Sequence, residues 1–128
     1  MNDKMTLLYI DDELINVELF ELNFNKKFNV ITGLSGLDGL NILESNPEIS
    51  LVISDMKMPL MSGLEFIRIA KKKYPNTTFF IITGFDITEE IAKAIDEKII
   101  HKYFQKPVKV KEIENTIENL SLSKSINF

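Results

Sequence analysis

Cysteine is absent from this chain of 128 residues, so it can form no disulfide and no thiolate metal site, which fits a reducing compartment. Histidine occurs once, as His101, and any metal would rest on oxygen ligands or on that one ring. Long apolar runs are also missing. The opening residues, MNDKMTLLYIDDE, have neither the basic start nor the apolar stretch of a secretion signal, and no run approaches the length that spans a bilayer. These absences predict a soluble, cytoplasmic protein that makes no membrane contact. A basic excess is lacking as well. With 15 Lys and Arg against 19 Asp and Glu the net charge is −4, so no nucleic-acid partner is expected, although Lys71, Lys72 and Lys73 form a local basic patch. No repeat, low-complexity tract or internal boundary breaks the chain, and its length suits one domain with one core.

What is present is an alternation. Five short apolar runs predict strands over 5–10, 28–32, 50–54, 78–82 and 102–105, and a stretch of helical period follows each. Strands alternating with helices indicate an α/β domain with a parallel sheet. Their middle members are apolar, as strands covered on both faces should be. Leu64, Ile67 and Ala70 fall on one face of the third helix, and Ile113, Ile117 and Leu120 on one face of the fifth. Ser35 with Asp38, and Thr88 with the Glu89-Glu90 pair, mark helix starts with acidic first turns. Asn46-Pro47 and Tyr74-Pro75 close the second and third helices, because the residue before proline is pushed out of helical geometry. The last residues, 123–128, carry little pattern and read as a tail or the start of a linker beyond a domain at 1–122.

The polar residues gather at strand ends. The first strand runs into Asp11, Asp12 and Glu13, the third into Asp55, the fourth into Thr83-Gly84 and the fifth into Lys106-Pro107. In a parallel sheet these ends share one edge, where ligands bind at the point of reversal of strand order. Two carboxylates ~4 Å apart repel by about 4 kcal/mol at an effective dielectric near 20, so converging acids call for a positive charge among them. Lys106 supplies one, and a hard divalent cation suits the remaining oxygens. A carboxylate, a cation, a hydroxyl and an ammonium together supply a nucleophile, a charge neutraliser, a hydrogen-bond donor and an oxyanion clamp, which are the parts of a phosphoryl transfer. Asp55 is the candidate nucleophile.

At these residues the sequence resembles the receiver domains of two-component response regulators, over about residues 5 to 120. The likeness is carried by Asp11-Asp12 after the first strand, Asp55 followed by Met58-Pro59 and Gly63, Thr83-Gly84 after the fourth strand, and Tyr103 ahead of Lys106-Pro107. It implies a three-layer, doubly wound, flavodoxin-like (βα)5 fold with five parallel strands in the order 2-1-3-4-5; that order comes with the family likeness and not from the periodicity of the chain. It also implies that Asp55 accepts a phosphoryl group from the phosphohistidine of a sensor histidine kinase or a histidine phosphotransfer protein. In that scheme Asp12 binds Mg²⁺, or Mn²⁺ in its place, directly, Asp11 binds it through water, and Asp55 and the backbone carbonyl of Lys57 complete the protein ligands. Lys106 and Thr83 bind phosphoryl oxygens, and Tyr103 turns inward behind Thr83. The resemblance further implies self-catalysed phosphorylation and dephosphorylation without turnover of an external substrate. The output is a changed surface around the fourth helix, fifth strand and fifth helix, read by a downstream protein, a fused output domain or a second copy of the chain.

Other readings meet particular residues. An aspartyl-phosphate phosphatase of the haloacid dehalogenase type would carry an acid two positions after the nucleophile, where Lys57 stands. A flavodoxin-like cofactor binder would need a phosphate-cradling turn in place of DDELIN, whose acids repel phosphate. A pseudo-receiver, acting only as a protein-interaction module, has no need of the full set of acids, Thr and Lys. The sequence departs from the commonest receiver pattern at Lys98 to His101, a bulkier approach to the fifth strand, and it places Lys57 and Phe85 two residues beyond Asp55 and Thr83.

Overall fold

A computed structural model describes residues 4–126. The chain alternates between strands and helices as its pattern requires: β1 (Thr6–Ile10), α1 (Leu14–Phe24), β2 (Asn29–Gly33), α2 (Gly36–Ser45), β3 (Leu51–Asp55), α3 (Gly63–Lys73), β4 (Thr78–Thr83), α4 (Glu89–Asp96), β5 (Lys102–Gln105) and α5 (Val110–Ile126). All four strand pairings are parallel, in the order β2-β1-β3-β4-β5. The α/β class and the strand order are as the sequence implied.

Successive residues of a strand face opposite sides, and the central strands use both sides. Leu8, Ile10, Val52 and Ile81 point to one face and meet Leu43 of α2, Phe66 and Ile67 of α3 and Ile91 of α4. Leu7, Tyr9, Ile53 and Phe80 point to the other and meet Phe20 and Phe24 of α1 and Ile113 and Ile117 of α5. The single core expected from chain length is thus two halves, one on each side of the sheet, which makes three layers. Burying each such Leu, Ile or Phe side chain contributes about 1.5–3 kcal/mol. β3 lies at the centre, and all five of its residues are buried.

Local signals hold the helices in place. The Ser35 and Thr88 side chains accept the backbone N–H groups of Asp38 and Ile91 at 3.0 and 3.2 Å. Asn46 and Tyr74, each before a proline, are non-helical residues that end α2 and α3. Leu64, Ile67 and Ala70 are buried, as are Ile113 and Ile117, with Leu120 packed at the edge of their cluster. Several strand ends shift by one residue from the expectation: β1 begins at Thr6, β2 covers Asn29–Gly33, β3 covers Leu51–Asp55 and β4 ends at Thr83. β3 includes Asp55 itself, because the Met56 N–H still bonds the Ile82 carbonyl at 3.0 Å and carries the pairing past Ser54. Phe28 stands ahead of β2, since its N–H is taken by the Phe24 carbonyl of α1 at 3.1 Å. The backbone of α5 is helical from Val110 to Ile126.

Candidate functional site

The register of the sheet builds the site. Ile10 of β1 lies opposite Ser54 of β3, so the next residue on each strand, Asp11 and Asp55, come side by side at the edge where the strand order reverses. Ile82 lies opposite Asp55, which puts Thr83 one step further on, at the end of β4. Thr83 in turn lies opposite Gln105, and the Lys106 N–H bonds the Thr83 carbonyl at 2.7 Å, which brings β5 to the same rim.

Four side chains converge there. Carboxylate oxygens of Asp11, Asp12 and Asp55 lie within 4.8 Å of one another. The Lys106 ammonium sits 3.2 Å from Asp55 Oδ1 and 3.6 Å from Asp11 Oδ2. Asp11 is fully buried and Asp55 is 5% exposed, whereas Asp12 faces solvent. Burial raises the Asp55 carboxyl above its ordinary value and the charge of Asp11 adds to the rise, while Lys106 only partly offsets them. Burial opposes the Lys106 charge, but Asp55 and then Asp11 outweigh it and hold the ammonium above its usual range. The rim is therefore short of positive charge, and its donors are all hard oxygens with one side open to water. That donor set fits Mg²⁺, which keeps several waters and takes one or two carboxylates.

Glycine is required at one point of the rim. A Cβ on Gly63 would collide with the Asp55 carbonyl oxygen, to which the Ser54 hydroxyl donates at 2.9 Å. The Gly63 N–H bonds the Met56 carbonyl at 2.8 Å, so the start of α3 is drawn against the end of β3. Thr83 is buried, and its Oγ1 accepts the Phe85 N–H at 3.2 Å. Phe85 is exposed and carries the Lys57 ammonium 4.6 Å from its ring centroid. Together with Met56, Met58 and Ile91 these residues line a mostly apolar cavity of about 440 Å³ beside the rim. Tyr103 is half-buried and packs against the cluster that holds Ile81 and Ile91.

The family model for the response regulator receiver domain matches residues 7–118. The chain belongs to that family. It is a receiver domain of two-component systems, 31% identical over 119 residues to the two-component response regulator PprB of Pseudomonas aeruginosa, covering 90% of this chain and 43% of that one. It is 29% identical over 108 residues to the hydrogenase transcriptional regulatory protein HoxA of Cupriavidus necator, covering 84% of this chain and 22% of that one. The receiver thus spans less than half the length of these curated relatives. A crystal structure of a response regulator receiver domain protein from Clostridium thermocellum superposes with a TM-score of 0.86 at 30% identity, covering 96% of this chain and 98% of that one. Among the described residues no helix of the receiver is long and apolar enough to cross a membrane.

Two polar neighbours of the receiver's acids escape a reading of the sequence. Tyr9 sits inside an apolar run and reads as core, yet its hydroxyl donates to Asp11 Oδ2 at 2.8 Å. Its position two residues before Asp11, on the same side of the strand, is the available signal. Burial raises the Tyr9 hydroxyl well above its ordinary value, and the Asp11 charge raises it further, so it stays a donor. Ser54 likewise reads only as a strand residue.

Proposed function

We propose that the domain accepts a phosphoryl group on Asp55 from the phosphohistidine of a partner sensor kinase or histidine phosphotransfer protein. The observation that carries this reading is the Lys106 ammonium 3.2 Å from the buried Asp55 carboxylate, among acids whose oxygens lie within 4.8 Å. An Asp55 oxygen attacks phosphorus, the bond from phosphorus to the imidazole nitrogen breaks, and the departing imidazole keeps the electron pair and takes a proton from water. Lys106 binds a phosphoryl oxygen as negative charge moves toward the carboxylate. The Thr83 hydroxyl, now engaged by the Phe85 N–H, turns to bond a second oxygen, and Tyr103 moves inward behind it. Asp12, Asp55 and the Lys57 carbonyl would hold Mg²⁺, or Mn²⁺, and Asp11 would act on it through water. When bound, that cation neutralises the phosphoryl oxygens and offsets the repulsion among the acids.

The new bonds favour a different surface around α4, β5 and α5, which a downstream protein, a fused output domain or a second copy of the chain reads. The receiver is taken as residues 1–122, with 123–128 as its tail or the start of a linker, and its setting as the cytoplasm, where ATP charges the partner histidine. Exposed apolar side chains on α1, among them Leu14, Ile15 and Leu19, support a phosphohistidine protein that approaches the rim from that side.

Incubation with Mg²⁺ and acetyl phosphate tests the reading by intact mass. The natural protein gains one phosphoryl group that depends on Mg²⁺, and Asp55→Asn gains none. Unaltered mass in both proteins would leave a domain that works through protein contacts alone.

A further inference from the structure

Tyr9 belongs to an apolar cluster, yet it sends a polar group into the rim. Its ring is 1% exposed and stacks on Phe20 with centroids 4.0 Å apart and planes 3° from parallel, which fixes where the hydroxyl points. A phenylalanine would fill this space equally well. A buried hydroxyl is costly unless bonded, and here its partner is Asp11 Oδ2 at 2.8 Å.

The same bond matters from the side of the acid. Asp11 is fully buried, and among the described residues three donors face it: the Tyr9 hydroxyl and the Lys106 ammonium on Oδ2, and the Glu13 N–H on Oδ1 at 3.0 Å. A carboxylate has about four acceptor positions, two on each oxygen. Oδ2 thus takes the Tyr9 bond and lies 3.6 Å from the Lys106 ammonium as an ion pair, while Oδ1 has a position left beside the Glu13 N–H. Of the two donors on Oδ2, Lys106 is shared with Asp55, while Tyr9 is held by its ring and serves Asp11.

We propose that Tyr9 is a positioning residue for the cation site, its hydroxyl fixing the Asp11 carboxylate so that Oδ1 faces the cation or its water. This rests on the reading that the acids hold a divalent cation. Without the hydroxyl, Oδ2 keeps only its ion pair with Lys106 at 3.6 Å, and the carboxylate turns toward that ammonium and carries Oδ1 out of its place. Partners of this kind, one step behind a metal ligand, are worth roughly 10–100-fold in metal affinity when removed.

The experiment follows the thermal midpoint of the full chain against Mg²⁺ concentration, for the natural protein, Tyr9→Phe, Asp11→Asn and the double variant. Binding linkage converts each curve into an affinity without any measurement of activity. Mg²⁺ should raise the natural midpoint, and Tyr9→Phe should need about 10-fold more Mg²⁺ for half of its effect. In the Asp11→Asn background the Tyr9 substitution should cost no further affinity, since it acts through that carboxylate. A Tyr9→Phe curve with a lower metal-free midpoint but the natural half-saturation would reduce Tyr9 to packing. An equal loss of affinity with and without Asp11 would also overturn the proposal. If Mg²⁺ leaves the natural midpoint unmoved, the cation reading fails and the role of Tyr9 falls with it.

Discussion

At the scale of the residue, Asp55 is held in a state that costs the fold. Its carboxyl is 5% exposed, lies among other acids and is raised above its ordinary value by burial and then by Asp11. A carboxyl whose folded value exceeds its unfolded one favours the folded state when protonated. The penalty for its ionisation begins as pH rises past the unfolded value and is complete above the folded one. Asp55→Asn should therefore be more stable than the natural protein at neutral pH without metal. The gain should shrink as pH falls toward the ordinary carboxylate range. Urea unfolding of both proteins across pH measures it, and a natural protein as stable as the variant at neutral pH would contradict it. The sequence showed this acid plainly, because a charged residue at the end of a mostly apolar strand has few structural uses. It hid Tyr9, because an aromatic within an apolar run looks the same whether or not its hydroxyl has a partner.

At the scale of the element, the start of α3 is what shapes the back of the rim. Ser62 accepts the Glu65 N–H at 3.1 Å while the Glu65 side chain accepts the Ser62 N–H at 2.9 Å, a reciprocal cap that satisfies two free donors. Glycine follows it at the point where a side chain would strike the Asp55 carbonyl. Ser62→Ala should cost about 1 kcal/mol of stability by loss of the cap. Thermal unfolding measures that cost, and an unchanged midpoint would show that Glu65 and solvent suffice. Element types were legible because strands and helices here differ in length and period. β5 begins and ends where its apolar pattern does, at Lys102 and Gln105. Boundaries set by long-range bonds were less legible. β3 reaches Asp55 because β4 offers it a carbonyl, and Phe28 is lost to β2 because α1 takes its N–H.

At the scale of the whole molecule, the sheet separates its two edges. His101 precedes β5 and Lys106 follows it, so they lie at opposite ends of the strand, roughly 16 Å apart at about 3.3 Å per residue. His101 therefore cannot serve Asp55 as a phosphate donor within the chain. With Mg²⁺ and ATP alone the protein should gain no mass, and addition of a kinase with a phosphorylated histidine should be needed. A phosphoryl group found on His101 would refute this. The sequence by itself determined the kinds of element, their order, and the placing of an acid, a threonine or a lysine at successive strand ends, since each is written in local residue types and periods. The strand order came with the family likeness and not with any local pattern, and only the tertiary structure decided that Asp11 and Asp55 are neighbours in register and that a tyrosine from the core holds one of those acids. Contacts between residues far apart in the chain are chosen by which apolar faces can be buried together, and no short stretch of sequence contains that choice.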